Sequence, residues 1–391
     1  MNKQKVLLIV FGLLVYVLST GISYFIFSKT VLSQKITSPV PTPQAGANGQ
    51  LTFDNTLPKT ETCPLNGTLY SVQQRQWWEK HRPLGVMIEN HSDARPQSGL
   101  SGADVIYEAV AEGGITRFLS LFYCQDAGQV GPVRSARTYF IDFVSEYGNN
   151  PLYAHVGGAN QPGRADALSQ LDSYGWVGYN DMNQFSIGFP TFWRDYDRLG
   201  HTAATEHTMY SIVQKLWDYA ATTANLTNVD KKGKAWDTGF VPYKFTDDAP
   251  ASERPASQTV HLEFWESAGS GYFVDWTYDP KTNLYKRNNG GAPQIDRNTN
   301  KQLEAKNIVV LSMRESNAND GYENNVHLLY QDKGSGKATV FKDGKQIKAT
   351  WTKNDRTGRT ILKDAAGTEI KFDRGLIWFE ILPTDGVLTV K

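Results

Sequence analysis

The sequence PLGVMIENHSDARPQSGLSGADVIYEAVAEGGITRFLSLFYC, residues 83–124, decides the fold of the first large part of the chain. Its segment LGVMIEN is a short apolar run that ends in polar residues, as a buried strand does. The segments DVIYEAVAEGG and RFLSLFYC predict two more strands, and the pair Gly113-Gly114 between them predicts a hairpin turn. The region therefore predicts a sheet that contains these three strands.

Helical periodicity follows this region. In GPVRSARTYFIDFVSEYG, residues 131–148, large apolar residues recur at helical spacing and predict a helix over 135–147. LYAHVGG (152–158) predicts a strand that runs into a glycine turn, and TEHTMYSIVQKLWDYAAT (205–222) predicts an amphipathic helix. Strands that alternate with helices indicate a mixed α/β domain, which we place at residues 63–228.

In the last third of the chain the period of the apolar residues falls to two. KATVFKDGKQIKATW (337–351) is the clearest hairpin, with Asp343-Gly344 at its turn. Residues 258–391 are therefore predicted as a β-rich domain, and the stretch 229–257 as a linker. The predicted fold class is α+β: an N-terminal transmembrane helix, a mixed α/β domain, then a β-rich C-terminal domain.

The N-terminus carries the strongest apolar signal. VLLIVFGLLVYVLSTGISYFIF, residues 6–27, has no charge, and about 22 residues at about 1.5 Å each cross a hydrocarbon core of about 30 Å. Residues 1–28 are predicted as a transmembrane signal anchor, so the membrane is a predicted partner. Lysines flank the helix on both sides and leave its orientation nearly undecided. The Pro-, Thr- and Gly-rich stretch 29–62 predicts a linker that holds the bulk of the chain outside the cytoplasm.

Composition limits the function. The 40 basic and 40 acidic residues balance, so nothing predicts a nucleic-acid partner held by bulk charge. The chain has two cysteines, Cys63 and Cys124, too few for a disulfide framework or a cysteine-built metal site. In an oxidising compartment they are predicted to pair as a disulfide. The alternative is two unpaired thiols, with Cys124 buried in a strand.

The motifs ARPQSGL, AEGGITRF and GPVRSAR, together with RGLIWFEILP near the C-terminus, resemble the YerB-like family of bacterial envelope proteins. The resemblance runs from Pro83 to Pro383 in two blocks and implies an exported, two-part protein. Members of the family are often lipid-anchored, whereas this chain has no cysteine at the end of its apolar run. The resemblance implies no established activity and no catalytic residues.

A weaker resemblance is to the LytR–CpsA–Psr phosphotransferases. The order of LGVMIEN, ADVIYEAV, TRFLSLF, RSARTYF and YAHVGG is similar to theirs, although the spacing differs. That resemblance implies arginines that grip a lipid-linked pyrophosphate.

Arg134 and Arg137 are the leading candidates for a binding site. At the start of a helix they would share a face beside unpaired backbone N–H groups and the positive end of the helix dipole. Arginine forks bind carboxylate or phosphate, so the sequence predicts an anion site. The alternative is that both pair with internal carboxylates such as Glu108, Glu112 or Asp142.

Glu108 and Glu112 fall on the same side of their predicted strand, at a separation of about 13 Å. That distance is too long for a paired acid/base site. Arg117, across the hairpin, is the predicted partner of Glu112.

Polar residues that follow a buried strand supply the remaining candidates. Asn90 and Arg95 lie in the loop after LGVMIEN, and ligands usually lie at the carboxyl ends of such strands. His155 ends the predicted strand in LYAHVGG. Neither His155 nor His207 stands in an HxH or HxxxH pattern, so no metal site is predicted.

Three functional hypotheses follow. The first is an envelope binding or interaction module for an anionic cell-wall component, such as a wall glycan or a lipid-linked precursor, or for an envelope protein. The second is a wall enzyme that acts on a phosphorylated or muropeptide substrate, and the third is a scaffold for a membrane-bound machine. The sequence contains no Walker A, dinucleotide or GxSxG motif, so no cofactor is predicted.

Overall fold

The computed structural model describes residues 2–30, 40–323 and 326–391, and the chain forms two compact units, 1–42 and 43–391. In the first unit, helix α1 (Lys3–Thr30) contains the predicted anchor. Its stretch Lys3–Phe25 is long and apolar enough to cross a membrane, by length and composition. Residues 31–39 of the predicted linker lie outside the described residues.

The second unit is built on one ten-stranded sheet. Across the sheet the order is β5-β4-β1-β3-β2-β10-β6-β7-β8-β9, with the strands numbered here in chain order. The strands are β1 (Leu84–Glu89), β2 (Val105–Glu112), β3 (Ile115–Phe122), β4 (Leu152–His155), β5 (Asp181–Asn183), β6 (Asn307–Met313), β7 (Gly334–Lys342), β8 (Lys345–Lys353), β9 (Ile361–Asp364) and β10 (Ile377–Pro383).

The sheet joins the two parts that the sequence predicts as separate domains. Strands β1–β5 come from residues 63–228 and strands β6–β10 from residues 258–391, and the two sets meet where β2 and β10 pair in parallel. Both parts therefore belong to one compact unit. Strand pairing between residues that are far apart in the chain leaves no mark on local periodicity, so the sequence could not show this junction.

Smaller elements surround the main sheet. Short helices lie at Val72–Trp78 (α2), Thr138–Val144 (α3), Ala167–Ser173 (α4), Gln184–Ile187 (α5) and Val213–Thr223 (α6). A second sheet, which we call the small sheet, contains the strands Thr259–Glu263, Val274–Asp279, Leu284–Asn289, Ala292–Pro293, Glu304–Ala305 and Val387–Val390. Further short strands lie at Gln44–Ala45, Leu51–Thr52, Lys59–Thr62, Leu69–Ser71, Gln129–Val130, Phe192–Arg194, Met209–Ile212, Phe245–Thr246, Ile295–Asp296, Lys301–Gln302, Glu315–Asn317, Leu328–Tyr330 and Phe372–Asp373.

Side chains of the central strands alternate between two layers, as the pleat of a strand requires. On one face, Tyr107 stacks on Phe143 of α3 at 4.8 Å between ring centres and on Phe379 of β10 at 4.6 Å. On the other face, Trp378 of β10 contacts Trp276 of the small sheet at 5.1 Å. The unit is thus layered, with α3 on one side of the main sheet and the small sheet on the other.

Both predicted linkers contribute to the second unit. In the first, residues 43–62 form short strands, and the backbone N–H of Leu51 donates to the carboxylate of Asp126. In the second, Phe245–Thr246 pairs with Phe372–Asp373, and Tyr243 is buried. Polar composition predicts a solvated linker, but backbone hydrogen bonds to distant segments hold these residues on the body.

Two predicted helices are shorter than the sequence indicates. The helix predicted over 135–147 is α3, Thr138–Val144, because residues 131–136 bond through their backbone to distant segments in an extended conformation. In the helix predicted over 205–222, Thr205–His207 form a short 3-10 helix and Met209–Ile212 form a strand that pairs with Phe192–Arg194, so the α-helix begins only at Val213. In both cases, pairing with distant segments buries the apolar residues that precede the helix, so these residues do not need a helical conformation to reach the core.

A buried ion cluster lies at the junction of the two parts. Glu108 of β2 and Glu380 of β10 stand opposite each other in register, and Arg287 of the small sheet donates to both, at 2.5 Å and 2.9 Å. All three side chains are fully buried, and the guanidinium lies over the rings of Trp276 and Trp378. Burial and the neighbouring Glu108 raise the pKa of Glu380 well above its usual range. Without the arginine, two like charges would face each other in a dry core.

We expect Arg287→Met to lower the free energy of unfolding by about 3–5 kcal/mol, because it leaves buried carboxylates without their cation. Urea unfolding of the full chain in detergent micelles measures this. The triple variant Arg287→Met, Glu108→Gln, Glu380→Gln should recover much of the loss, since no buried charge remains. A loss below about 1 kcal/mol for Arg287→Met would contradict a structural role for the cluster.

Candidate functional site

Polar residues gather where the parallel strands of the main sheet end. Strands β5, β4, β1, β2, β10 and β6 run in the same direction, so their carboxyl ends share one edge. Ligands usually lie outside this edge in sheets of this kind. The candidates found here are Asn183, His155, Glu89, Asn90 and Glu112, with Arg117 at the start of the antiparallel β3.

The extended segment before α3, residues 131–136, lies at this edge between β1 and the residues that follow β4. Arg134 donates its backbone N–H to the carbonyl of Met87 and accepts from Val156, while Ala136 donates to the carbonyl of Gly157. The predicted placement of Arg134 and Arg137 on one helix face is therefore wrong. Arg134 lies in the extended segment, and Arg137 is the residue that directly precedes α3.

The guanidinium of Arg134 is held by protein groups on one side only. Its Nε donates to Glu89 at 3.1 Å, and the other oxygen of Glu89 lies 2.8 Å from His207 Nδ1. Among the described residues, its guanidinium makes no other hydrogen bond, and a quarter of the side chain is exposed. Burial lowers the pKa of Arg134, and Glu89 opposes that shift. Arg134 therefore keeps two N–H₂ groups for a ligand.

Arg137 and Arg117 are structural by contrast. Both contact the carboxylate of Glu112, Arg117 at 2.7 Å, and both side chains are almost fully buried. Arg117 also donates to the carbonyl of Ser135, and Arg137 to that of Ala136. Their contacts fit the alternative in which these arginines pair with internal carboxylates, and the predicted pairing of Arg117 with Glu112 is present.

Asn90, Arg95 and Glu108 belong to the network around Arg287. Asn90 Nδ2 donates to Thr116 at 2.8 Å and to Glu108 at 3.4 Å, and Arg95 donates to the side chain and backbone of Asn90. Burial lowers the pKa of Arg95 to about 10. Because a β-bulge lies between Val110 and Glu112, Glu108 and Glu112 have different surroundings, one fully buried and the other beside arginines.

His155 is fully buried and both of its ring nitrogens are occupied. Nε2 lies 2.6 Å from Asp181 and Nδ1 lies 2.7 Å from the carbonyl of Gly157. The side chain therefore has no nitrogen left for a ligand. Its contact with Gly157 instead fixes the glycine turn that borders the groove described next.

A groove of about 520 Å³ opens at this edge, beside Arg134. Its charged and polar lining residues are Arg134, Ser135, Arg194, Glu206, Asn160 and Asn183, and the exposed ring of Phe185 forms one wall. We call it the edge groove. Arg194 spends its Nη1 on Thr205 and Thr208, which leaves the rest of its guanidinium for the groove.

Sequence reasoning placed Arg134 in the site but missed Arg194, Phe185 and the brace formed by Glu89 and His207. Glu89 is the last residue of a buried strand and directly precedes the polar loop that contains Asn90 and Arg95. The same signal, a polar residue at the end of a buried strand, could therefore have identified it. Arg194 ends the short strand Phe192–Arg194 and Phe185 lies in the four-residue helix α5, and both elements are too short to show a periodicity in the sequence. No local signal marks them.

The described residues offer little for a metal ion. Donor atoms of His91, Asp93 and His207 lie within 4.8 Å of one another. The rings of His91 and His207, however, stack nearly parallel at 4.9 Å, so their lone pairs cannot both point in plane at one ion. The other group, Cys63, Asp104 and Cys124, contains the disulfide and so has no thiolate to offer.

The contact between Glu89 and His207 predicts that the stability of the fold depends on pH. The hydrogen bond to Glu89 raises the pKa of His207 above its usual 6.5, so the folded state binds this proton more tightly than the unfolded state. The stabilisation is complete below about pH 6.5 and is lost as pH rises through the raised pKa.

We test this with His207→Gln, which keeps a donor for Glu89 but does not titrate. The wild type should lose stability relative to the variant as the pH rises above about 6.5, as measured by urea unfolding. A difference that stays constant over this range would contradict the role of the brace.

Comparison with known proteins places the chain in a family. Two family models match, "Protein of unknown function (DUF3048) N-terminal domain" over residues 70–227 and "Protein of unknown function (DUF3048) C-terminal domain" over residues 260–379. The chain is 31% identical over 328 residues to "Putative lipoprotein YerB" of Bacillus subtilis strain 168, covering 82% of this chain and 86% of that protein. The crystal structure of B. subtilis YerB is similar at a TM-score of 0.66 and 26% identity, covering 84% of this chain and 100% of that chain. The resemblance seen in the sequence is thereby confirmed, and the chain belongs to the YerB-like family.

Proposed function

We propose that this protein is a membrane-anchored protein of the bacterial cell envelope, and that its edge groove binds an anionic cell-wall component. The observation that carries the binding proposal is the guanidinium of Arg134. Its Nε is bonded to Glu89, while its other N–H groups are open to a groove that Arg194 also lines. Paired arginines recognise carboxylate or phosphate through bidentate hydrogen bonds.

The other lining residues fit a glycan that carries such a group. The amide of Asn160 can exchange hydrogen bonds with hydroxyls, and Asn183, whose Oδ1 accepts from Gly157 and Phe185, can donate through Nδ2. The exposed ring of Phe185 offers an apolar face to a sugar ring. Glu206, also exposed, lies near Arg134 and would oppose an anion bound there. The negative group of the ligand is expected against the guanidinium groups of Arg134 and Arg194.

Three observations support location in the envelope. Helix α1 is apolar over a membrane-spanning length, a relative is named as a putative lipoprotein, and Cys63 is bonded to Cys124 across a sequence separation of 61. Disulfides persist in oxidising compartments. We propose a single-pass topology in which the second unit lies outside the cytoplasm.

The state of the cysteines tests the compartment. In extracts prepared with a thiol-blocking reagent, a maleimide of high mass should modify neither Cys63 nor Cys124 until a reductant is added. The single variants Cys63→Ser and Cys124→Ser should each expose one reactive thiol and lose about 4 kcal/mol of stability. Two free thiols in the native protein would contradict the proposed location.

The binding proposal is tested by Arg134→Gln and Arg194→Gln. Each should weaken sedimentation of the full chain with purified cell walls by at least about tenfold, because each removes a charge-assisted contact. Melting temperatures should change little, since both side chains reach solvent. Added salt should weaken the wild type in the same direction.

The matched control is Lys345→Gln, an exposed cation at the hairpin between β7 and β8. It should bind walls as the wild type does. Equal loss in all three variants would indicate attraction by overall charge, and no loss in any of them would exclude the edge groove.

A further inference from the structure

A cavity of about 750 Å³ lies apart from the edge groove, between α3, α4 and the segments 314–316 and 329–333. We call it the helix cleft. Its charged lining residues are Asp142, Arg164, Asp166, Arg314, Asp332 and Lys333. Of these, Asp166 caps α4 through Ser169 and so has a structural task.

The floor of the helix cleft has an excess of negative charge. Asp142 and Asp332 are each only 4% exposed, and Lys333 contacts both carboxylates. Gln170 and Tyr174 also donate to Asp142, at 3.1 Å and 3.2 Å. Two buried carboxylates thus share one ammonium group.

Two acceptors on this floor have no donor. Asp332 Oδ2 and Gln170 Oε1 are buried without a hydrogen-bond partner among the described residues. Burial, with Asp142 close by, raises the pKa of Asp332 to about 7, which reflects the cost of the second negative charge. A ligand that brings a positively charged donor would remove that cost.

The mouth of the helix cleft has the opposite character. Arg164 and Arg314 are exposed, and in the described part of the chain neither has an ion pair or a side-chain hydrogen bond. They face a cavity rather than a protein carboxylate. A carboxylate or phosphate on the ligand would supply their missing acceptor.

We infer that the helix cleft is a second binding site, for a zwitterionic ligand of the amino-acid or short-peptide class. Its ammonium group would lie against Asp142 and Asp332, and its carboxylate against Arg164 and Arg314. A simple anion would meet the two buried carboxylates, and a simple cation would meet the two arginines. Only a ligand with both charges matches both ends.

The test compares two zwitterionic peptides with two blocked peptides, each of which lacks one of the two charges. Dialanine and trialanine carry both charges, N-acetyl-dialanine lacks the ammonium group, and dialanine amide lacks the carboxylate. Binding to the full chain in detergent micelles is followed by calorimetry. The zwitterions should bind at least about tenfold more tightly than either blocked form. Equal binding of all forms, or no saturable binding of either zwitterion below about 10 mM, would overturn the inference.

Variants assign the two ends. Asp332→Asn should abolish the preference for a free ammonium group, and Arg314→Gln the preference for a free carboxylate. Arg134→Gln, in the edge groove, should leave both preferences intact, so failure of this site is separate from failure of the proposed function. Should Asp332→Asn fold poorly by circular dichroism, Arg314→Gln, at an exposed position, still decides. If it keeps the full preference for the carboxylate, the inference is wrong.

Discussion

The structure depends on one buried cation held between two carboxylates. Glu108 and Glu380 are paired in register on adjacent strands, one from each family domain, and Arg287 of the small sheet contacts both. Two like charges in a dry core would repel the strands that carry them, so the arginine stabilises the pairing of these strands. The small sheet is thereby fixed on the main sheet, and the two domains form one unit.

This constraint also decides what the carboxyl edge can do. Once β2 and β10 are paired, the ends of six parallel strands lie along one edge of the main sheet, with the polar residues that follow β1, β2 and β4 among them. Most of their charges neutralise one another there, as Glu112 does for Arg117 and Arg137. Arg134 differs from these arginines: Glu89 fixes its guanidinium through Nε, but its remaining N–H groups have no partner among the described residues. It can therefore bind an anion in the edge groove.

The two cavities differ in how their charges are arranged. In the edge groove the carboxylate of Glu89 lies behind Arg134, so the arginine is presented to solvent. In the helix cleft the carboxylates lie at the floor and the arginines at the mouth. The first arrangement suits a ligand with one anionic group beside neutral hydroxyls, and the second suits a ligand with two opposite charges.

The sequence alone determined the apolar helix α1, the strands around residues 84–122, the β-rich character of the C-terminal part and the family, because these depend on local periodicity and on long motifs. It also placed Arg134 among the site candidates. Only the tertiary structure decided that both domains share one sheet, that residues 131–136 are extended, and that Arg137 is buried while Arg134 is open. Those features depend on pairing and burial between residues far apart in the chain, which the spacing of neighbouring residues does not encode.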